Sequence, residues 1–202
     1  MDANKIKENI YRETLRIMFA VENASDENFS NIKNVDDYKD KMEGALERAI
    51  VRVCQAKKAG IKRIALIGKD YDKIEEGLDL IKDKNLNDIM QIDRLSIKRP
   101  NRALEPYNEF YTLDYKTIVI EQGIRNDETI YVHYYPSFVG VEELRHDVLA
   151  IIPYFIKSEL YEEDEASLAM NARNIFEAQL QAIEMDAQTV QTRVQNVFGR
   201  YN

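Results

Sequence analysis

Acidic residues crowd one short stretch of the chain, and carboxylates at such density could bind a hard metal cation. This acidic cluster consists of Glu159, Glu162, Glu163, Asp164 and Glu165. A Ca²⁺ loop, however, needs spaced oxygen ligands and usually a glycine at its tight turn, and the stretch has neither. Acidic side chains also stabilise the N-terminus of a helix through its dipole. We therefore interpret the cluster as a solvated corner between two helices, with Asp164 as the cap of the second helix.

A second candidate for chemistry is the motif Glu143-Leu-Arg-His146. Glu-x-x-His on a helix is half of a di-iron carboxylate site, which needs a second such motif and two further glutamates on facing helices. The only other histidine is His133, which lies in a predicted strand. An exposed salt bridge or hydrogen bond is the favoured interpretation, and a metal site with Glu143, His146 and Glu159 as ligands is the alternative.

No enzyme motif is complete in this chain. The stretch IALIGKDYDKIEEGLDLI has the outline of a strand, loop and helix, but it lacks the spaced glycines of a phosphate-binding loop. Neither histidine accompanies a nucleophile-elbow sequence. The single cysteine, Cys54, falls within a helical apolar pattern and is predicted to be a small buried hydrophobe. The sequence therefore predicts a protein that is not an enzyme and has no cofactor or metal.

The composition favours a helical protein that binds neither nucleic acid nor membrane. Only 4 Pro and 7 Gly interrupt the chain, and helix-forming residues abound. The formal net charge is −8, and Lys and Arg are interspersed with acids, whereas phosphate binding needs them clustered. No run of about 18 apolar residues could span a membrane, and the N-terminus carries acids unlike a secretory signal.

The elements that would position these residues follow from the hydrophobic periodicity. Apolar residues recur at helical spacing in four segments, residues 3–20, 38–54, 141–160 and 168–183. The first two segments are predicted as N-terminal helices of a bundle, within residues 1–60, and the last two as its C-terminal helical hairpin, within residues 138–185. Pro153 lies deep inside the third segment and predicts a kink or a local break.

Residues 61–137 change to a mostly two-residue period and are predicted as a β-rich insertion. Within it, YKTIVIEQ and ETIYVHYYP flank a turn-rich spacer and are predicted to pair as a hairpin. The stretch IEEGLDLIKDKNLNDIMQ is ambiguous, and we favour a short helix or an irregular segment. The predicted fold class is therefore mainly α with a β insertion (α+β), a helical bundle that carries a small antiparallel β subdomain.

Tyrosines concentrate in the insertion. They are Tyr107, Tyr111, Tyr115, Tyr131, Tyr134 and Tyr135. Tyrosine supplies a large contact area at low entropic cost and is enriched at interfaces, but a small sheet can equally use tyrosine as its core. Both interpretations stay open, and the first makes Tyr131, Tyr134 and Tyr135 candidates for contacts between subunits.

Residues 186–202, DAQTVQTRVQNVFGRYN, are mostly polar. Their scattered apolar side chains include Val194, Val197, Phe198 and Tyr201, too few to build a core. The segment is predicted as an extended tail, either disordered or docked on a partner.

The order of the motifs carries a resemblance to a known family. An early helix contains ALERAIVRV, the β segment ends in VHYYP, and the helical pair contains PYFIKSELYEED, from Pro153 to Asp164, followed by NIFE, from Asn174 to Glu177. This order is similar to that of the head–tail connector, or adaptor, proteins of tailed bacteriophages. The resemblance covers most of residues 38–183, and the stretch from Gly60 to Met90 departs from it.

The resemblance implies a structural role in the neck of the virion, after assembly in the host cytoplasm. Such adaptors form a ring, typically dodecameric, under the portal protein. They extend the channel through which DNA passes without specific binding, and they offer a platform to the tail or neck protein below. The alternatives are another neck or tail structural protein and a cytoplasmic helical interaction protein.

Two sets of contact residues follow from the resemblance. The tail would reach the portal protein through its four apolar residues, Val194, Val197, Phe198 and Tyr201. The acidic corner, with Glu162, Glu163 and Asp164, would face arginines of a neighbouring subunit in the ring.

Overall fold

The order of helices and strands along the chain divides the protein into two regions. The computed structural model describes residues 2–20, 35–121, 124–125 and 127–184. In chain order the elements are α1 (Ala3–Phe19), α2 (Val35–Gln55), β1 (Lys62–Leu66), α3 (Gly68–Ile74), β2 (Leu78–Asp79), α4 (Leu80–Lys84), β3 (Ile89–Lys98), β4 (Leu104–Tyr107), β5 (Tyr111–Thr112), β6 (Thr117–Val119), β7 (Thr129–Pro136), a 3₁₀ helix (Val141–Glu143), α5 (His146–Leu160) and α6 (Ala166–Ala182). The chain divides into unit 1, residues 1–58 and 140–202, and unit 2, residues 59–139.

Local signals in the sequence fix the ends of α1. The side chain of Asp2 accepts a hydrogen bond from the backbone N–H of Asn4 at 3.2 Å, which satisfies a free donor of the first turn. The helix ends at Ala20, which adopts a left-handed conformation with φ of 51°. Its buried stripe includes Ile6, Ile10 and Leu15 at helical spacing. The predicted first helix is confirmed.

Helix α5 is the centre of unit 1, because it packs against α1, α2 and α6. Phe155 of α5 meets Phe176 of α6 edge to face, with the ring centroids 5.0 Å apart. Pro153 lies inside α5, yet the helix runs unbroken from His146 to Leu160. The predicted local break is therefore absent. A proline removes the N–H that would pair with the carbonyl of Leu149, and packing on three neighbouring helices holds the segment helical in spite of that loss.

A four-stranded antiparallel sheet with the order β1-β7-β3-β4 forms the main part of unit 2. Ile64 and Leu95 lie on either side of Val132, so their side chains share one face of the sheet. That face belongs to the hydrophobic core of the unit, in which Val132 is fully buried. The regular alternation is interrupted twice along β3, where register shifts occur between Ile89 and Gln91 and between Ile92 and Arg94.

A second antiparallel sheet has the order β2-β6-β5, and it shows that the predicted hairpin was wrong. β6 pairs with β2 and β5, whereas β7 pairs with β1 and β3, so the two runs predicted as hairpin partners belong to different sheets. The prediction failed because adjacent β-rich runs were assumed to pair locally. β2 lies within the stretch that was ambiguous in the sequence, where Gly77, with φ of 116°, turns the chain after α3.

The predicted class, mainly α with one small β subdomain, was wrong in its proportions. Of the residues that the structure describes, about 49% are helical and 21% are in strands, which form two antiparallel sheets, a mixture of helix and sheet that is compatible with an α+β class. The strand content was underestimated because β2, β5 and β6 contain only two or three residues each. Strands so short show no recognisable two-residue period in the sequence.

Candidate interaction surfaces

The predicted portal-binding residues of the tail, Val194, Val197, Phe198 and Tyr201, lie outside the described part of the chain. The described chain ends at Glu184, and two side chains of unit 1 hold that end. Arg145 Nη1 donates a hydrogen bond to the carbonyl of Glu184 at 3.1 Å. Lys58 Nζ donates to the carbonyl of Ile183. These two hydrogen bonds fix the position of the end of the described chain.

The acidic cluster lies at the turn between α5 and α6. Glu163 has a side chain that is 86% exposed and lies 3.9 Å from Lys41 Nζ, while Glu162 and Asp164 form no ion pair with any described residue. The N-cap of α6 is Glu165, and its side chain makes no capping hydrogen bond. The prediction that Asp164 caps this helix was therefore wrong, because the turn after α5 extends one residue further than the apolar pattern indicated.

Apolar side chains are exposed beside these carboxylates, and the sequence analysis did not single them out. Met170 is 63% exposed and Leu168 38% exposed, both in the first turns of α6. A shallow cavity of about 370 Å³ lies between Met170 and the end of α5. We call the set of Glu162, Glu163, Asp164, Leu168 and Met170 the corner surface. It combines exposed charge with exposed apolar area, as surfaces that bind other proteins do.

Glu159, the first member of the cluster, is held by two arginines rather than presented to solvent as a ligand. Its Oε2 atom accepts from Arg48 Nε at 2.8 Å, and its Oε1 atom lies 3.3 Å from Arg173 Nη1. The Arg173 guanidinium also lies over the ring of Phe155, 4.0 Å from the centroid. These contacts join α2, α5 and α6, so we assign Glu159 to the packing of the helices.

Glu177 forms a further link between helices, from α6 to α2. Arg52 of α2 donates to its carboxylate through Nε at 2.8 Å and Nη2 at 2.6 Å, a bidentate pair. The hydrogen bonds from Arg52 lower the pKa of Glu177 below its ordinary value, and the same bonds raise the pKa of Arg52.

The Glu143 and His146 side chains are placed at the start of α5. Glu143 Oε1 accepts from the backbone N–H of Gly140 at 3.0 Å and so stabilises the 3₁₀ turn that precedes the helix. His146 is exposed at the first position of α5. Among the residues that the structure describes, no three His, Cys, Asp or Glu side chains come together as a metal site requires.

The three tyrosines chosen as interface candidates differ in accessibility. Tyr134 is only 3% exposed and belongs to the core of unit 2, and Tyr135 is 6% exposed. Burial raises the pKa of the Tyr135 hydroxyl, with a further contribution from Asp93. Tyr131 is half-buried beneath the guanidinium of Arg63, 4.7 Å from the ring centroid. Of the three, only Tyr131 offers part of its ring at the surface.

The exposed aromatic residues of unit 2 lie instead around the turn between β5 and β6. Tyr111, Leu113 and Tyr115 are 46%, 64% and 51% exposed. Asp114 fixes this turn, since its Oδ1 atom accepts from the backbone N–H groups of Lys116 and Thr117 at 2.9 and 2.7 Å. These bonds lower the pKa of Asp114. Both tyrosines belong to those that are concentrated in the insertion, whereas no sequence pattern indicated that Leu113 would be exposed.

A buried pair of polar side chains in unit 2 was also missed. Ser96 Oγ lies 3.0 Å from His133 Nε2, and the two residues are 6% and 9% exposed. Burial lowers the pKa of His133, and the nearby Arg94 and Arg63 lower it further. A serine–histidine pair can support nucleophilic catalysis only if a substrate can reach it. Because both side chains are buried, we interpret the pair as a hydrogen bond that satisfies two polar groups inside the unit.

A groove of about 640 Å³ opens between α1 and the start of α5. Its walls include Ile6 and Ile10 from α1 and Leu144, Leu149 and Pro153 from the other side. No local sequence pattern indicates this groove, because residues almost 150 positions apart form its two walls.

No protein-family model matches this sequence, and no curated protein matches it. Within the described ranges, no helix has both the length and the apolar character needed to cross a bilayer.

Proposed function

We propose that the protein is a head–tail connector (adaptor) of a tailed bacteriophage, a structural protein of the virion neck that forms a ring under the portal, extends the DNA channel and joins head to tail. The observation that supports this most is where the two resembling blocks lie. Phe155 of the first block packs on Phe176 of the second, and Glu177 of the second pairs with Arg52 of α2. Residues that carry the resemblance thus hold α2, α5 and α6 of one unit together, through a buried aromatic contact and a surface ion pair.

The corner surface supplies a suitable contact for ring formation. A ring requires each subunit to present two different surfaces that meet head to tail. Around Met170, exposed apolar area lies beside carboxylates of Glu162 and Asp164 that no described residue pairs. A neighbouring subunit with arginines at the facing position would bury the methionine and pair the carboxylates, which is the usual anatomy of such an interface.

The net charge of −8 is compatible with a channel wall that DNA passes without binding. Phosphates are attracted to clustered Lys and Arg and are repelled by a net acidic surface. A chain in which acidic residues are interspersed with Lys and Arg therefore suits a DNA channel better than a DNA-binding module.

Electron microscopy of portal-bearing, DNA-filled phage heads mixed with the purified protein tests the proposal. We expect an additional ring at the portal vertex. Heads whose portals stay bare, while the protein is found elsewhere in intact virions, would favour another neck or tail protein. Bare portals and no protein in virions would favour the cytoplasmic interaction protein.

Charge reversal tests the role of the corner surface. The double variant Glu162→Lys/Glu163→Lys should fold normally, with an unchanged circular dichroism spectrum, but should fail to add a ring to the heads. The matched control is Glu75→Lys/Glu76→Lys, which makes the same change of charge at two exposed positions of unit 2. Equal ring formation by both variants would remove the corner surface from the ring contact.

A further inference from the structure

The groove between α1 and α5 is an apolar depression with acidic residues at its edge. Ile6 and Ile10 form one wall and are 6% and 5% exposed, and Leu144, 6% exposed, belongs to the other. Glu13 and Glu142 also line the groove. An open apolar cavity of about 640 Å³ has the dimensions of a site that binds a few large side chains.

The described chain ends next to this groove. Arg145, whose guanidinium donates to the carbonyl of Glu184, stands in the sequence between Leu144 and His146, which both line the groove. The guanidinium is itself fixed by Asp147, with Nη2 2.6 Å from Oδ2. The segment from residue 185 onward therefore follows a residue that is bonded to Arg145, the chain neighbour of two groove-lining residues.

The length of the remaining segment suits this place. Its 18 residues, from 185 to 202, could extend over about 60 Å at roughly 3.3 Å per residue, so the segment reaches the groove easily. The wall formed by α5 from His146 to Pro153 is eight residues long, and its seven steps of 1.5 Å span about 10 Å.

The side chains of the segment also suit the groove. Val194, Val197, Phe198 and Tyr201 follow the spacing i, i+3, i+4, i+7, which is that of one helix face about 10 Å long. Arg193 and Arg200 supply positive charge. The groove is lined by Glu142 and by Glu13, which already pairs with Arg16 at 2.6 Å. Length and apolar spacing match the groove, and the carboxylate of Glu142 is complementary to the arginines of the segment.

We propose that residues 185–202 dock in the groove between α1 and α5 of their own chain. This inference goes beyond the connector function and does not depend on it. It adds a consequence if the protein is a connector. The apolar residues of the docked segment are then covered by the groove. The portal must therefore compete with the groove to bind them.

Trypsin cleavage at Arg193, followed by mass spectrometry of the full-length protein alone, tests the docking. If the docked form makes up about nine-tenths of the molecules, cleavage is about tenfold slower than in a released segment, because cleavage follows the open population. We expect Phe198→Asp to speed cleavage about tenfold. The control Asn196→Asp adds the same charge at a position outside the apolar set of the segment and should leave the rate near that of the wild type.

A second variant approaches the contact from the groove. Ala150 is exposed and lines the groove, so Ala150→Trp fills the site without disturbing the buried residues of α5. It should speed cleavage at Arg193 as much as Phe198→Asp does, while cleavage at Lys73 in unit 2 stays constant. Equal rates for the wild type and both variants would overturn the proposal. So would protection that grows with protein concentration, because a second copy would then supply the segment.

Discussion

Unit 1 and unit 2 each contain an ion pair that joins two helices, and the two pairs differ in burial. In unit 1 the ion pairs lie on the outside of the helices, and the side chains of Arg52 and Glu177 are 36% and 26% exposed. In unit 2 the side chain of Asp70 is only 4% exposed and pairs with Lys84, which is 17% exposed. The Arg52–Glu177 pair adds stability to helices that apolar packing already holds together. The Asp70–Lys84 pair, in contrast, is buried among the elements that it stabilises.

The reason lies in the backbone of unit 2. Its helices α3 and α4 have seven and five residues, too short to be stable through propensity or a long apolar stripe. Asp70 Oδ2 compensates by accepting from the backbone N–H of Ile67 at 2.7 Å and from Lys84 Nζ at 2.9 Å, so one oxygen joins the start of α3 to the end of α4. The comparison shows that short irregular elements depend on individual buried polar groups.

Phe176→Ala should have the largest effect and would show how far unit 1 depends on apolar packing. Phe176 is fully buried against Phe155, and truncating such a ring costs about 4 kcal/mol. Urea unfolding followed by circular dichroism measures the loss. Met170→Ala is the matched control at a 63% exposed position and should cost less than about 0.5 kcal/mol. Similar losses for the two variants would contradict the assignment of the core.

Asp70→Ala should be the most damaging change of a charged residue. It leaves the Lys84 ammonium and the Ile67 N–H without their acceptor, and removing one partner of a buried pair costs about 3 kcal/mol. Hydrogen exchange of amides in β3 and β7 should accelerate accordingly. Asp72→Ala, an exposed aspartate of the same helix, serves as the control. If both variants exchange alike, the comparison between the units fails.

His133 should make the stability of unit 2 depend on pH. Because its folded pKa lies below the ordinary 6.5, the unfolded chain binds the proton more readily. The stability that unit 2 gains with a neutral His133 is therefore fully present above pH 6.5. It is lost as pH falls from 6.5 toward the folded pKa of His133, by at most about 1.4 kcal/mol per pH unit for one proton.

Urea titrations between pH 7.5 and 5 measure this slope. It should flatten in His133→Asn and persist in His146→Asn, which removes the only other histidine. A slope that survives in His133→Asn would assign the pH dependence to other groups.

The surface pair of Arg52 and Glu177 should show the smallest effect. A double-mutant cycle with Arg52→Ala and Glu177→Ala should give a coupling of about 0.5 kcal/mol, because both side chains are partly exposed to solvent. Since Arg52 lowers the pKa of Glu177, the coupling should be present above pH 4.5 and fade as pH falls through the lower folded pKa. A coupling as large as the effect of Asp70→Ala would erase the difference between the units.

The same contrast explains what the sequence could predict. The stripe of α1 and the burial of Cys54, 1% exposed, were read correctly because long helices repeat their pattern over several turns. The strands that pair with β6 and the hydrogen bonds made by Asp70 depend on contacts between distant segments. The hydrophobic period within one segment does not indicate such contacts. For the candidate surfaces, the sequence located the acidic residues but not exposed Met170 or the groove, since exposure depends on how the helices pack.

The insertion of unit 2 between two parts of unit 1 also sets an order of events during synthesis on the ribosome. Unit 2 is one continuous stretch, so all its strands are made before α5 and α6. Roughly 100 residues separate the end of α2 from the end of α5, which takes on the order of 5–20 s at 5–20 residues per second. During that interval the apolar stripe of α2, with Leu46 and Val53, lacks its partner helix α5. The nascent chain must therefore keep this stripe from aggregating, by its own contacts or with a chaperone, until the last quarter of the protein emerges.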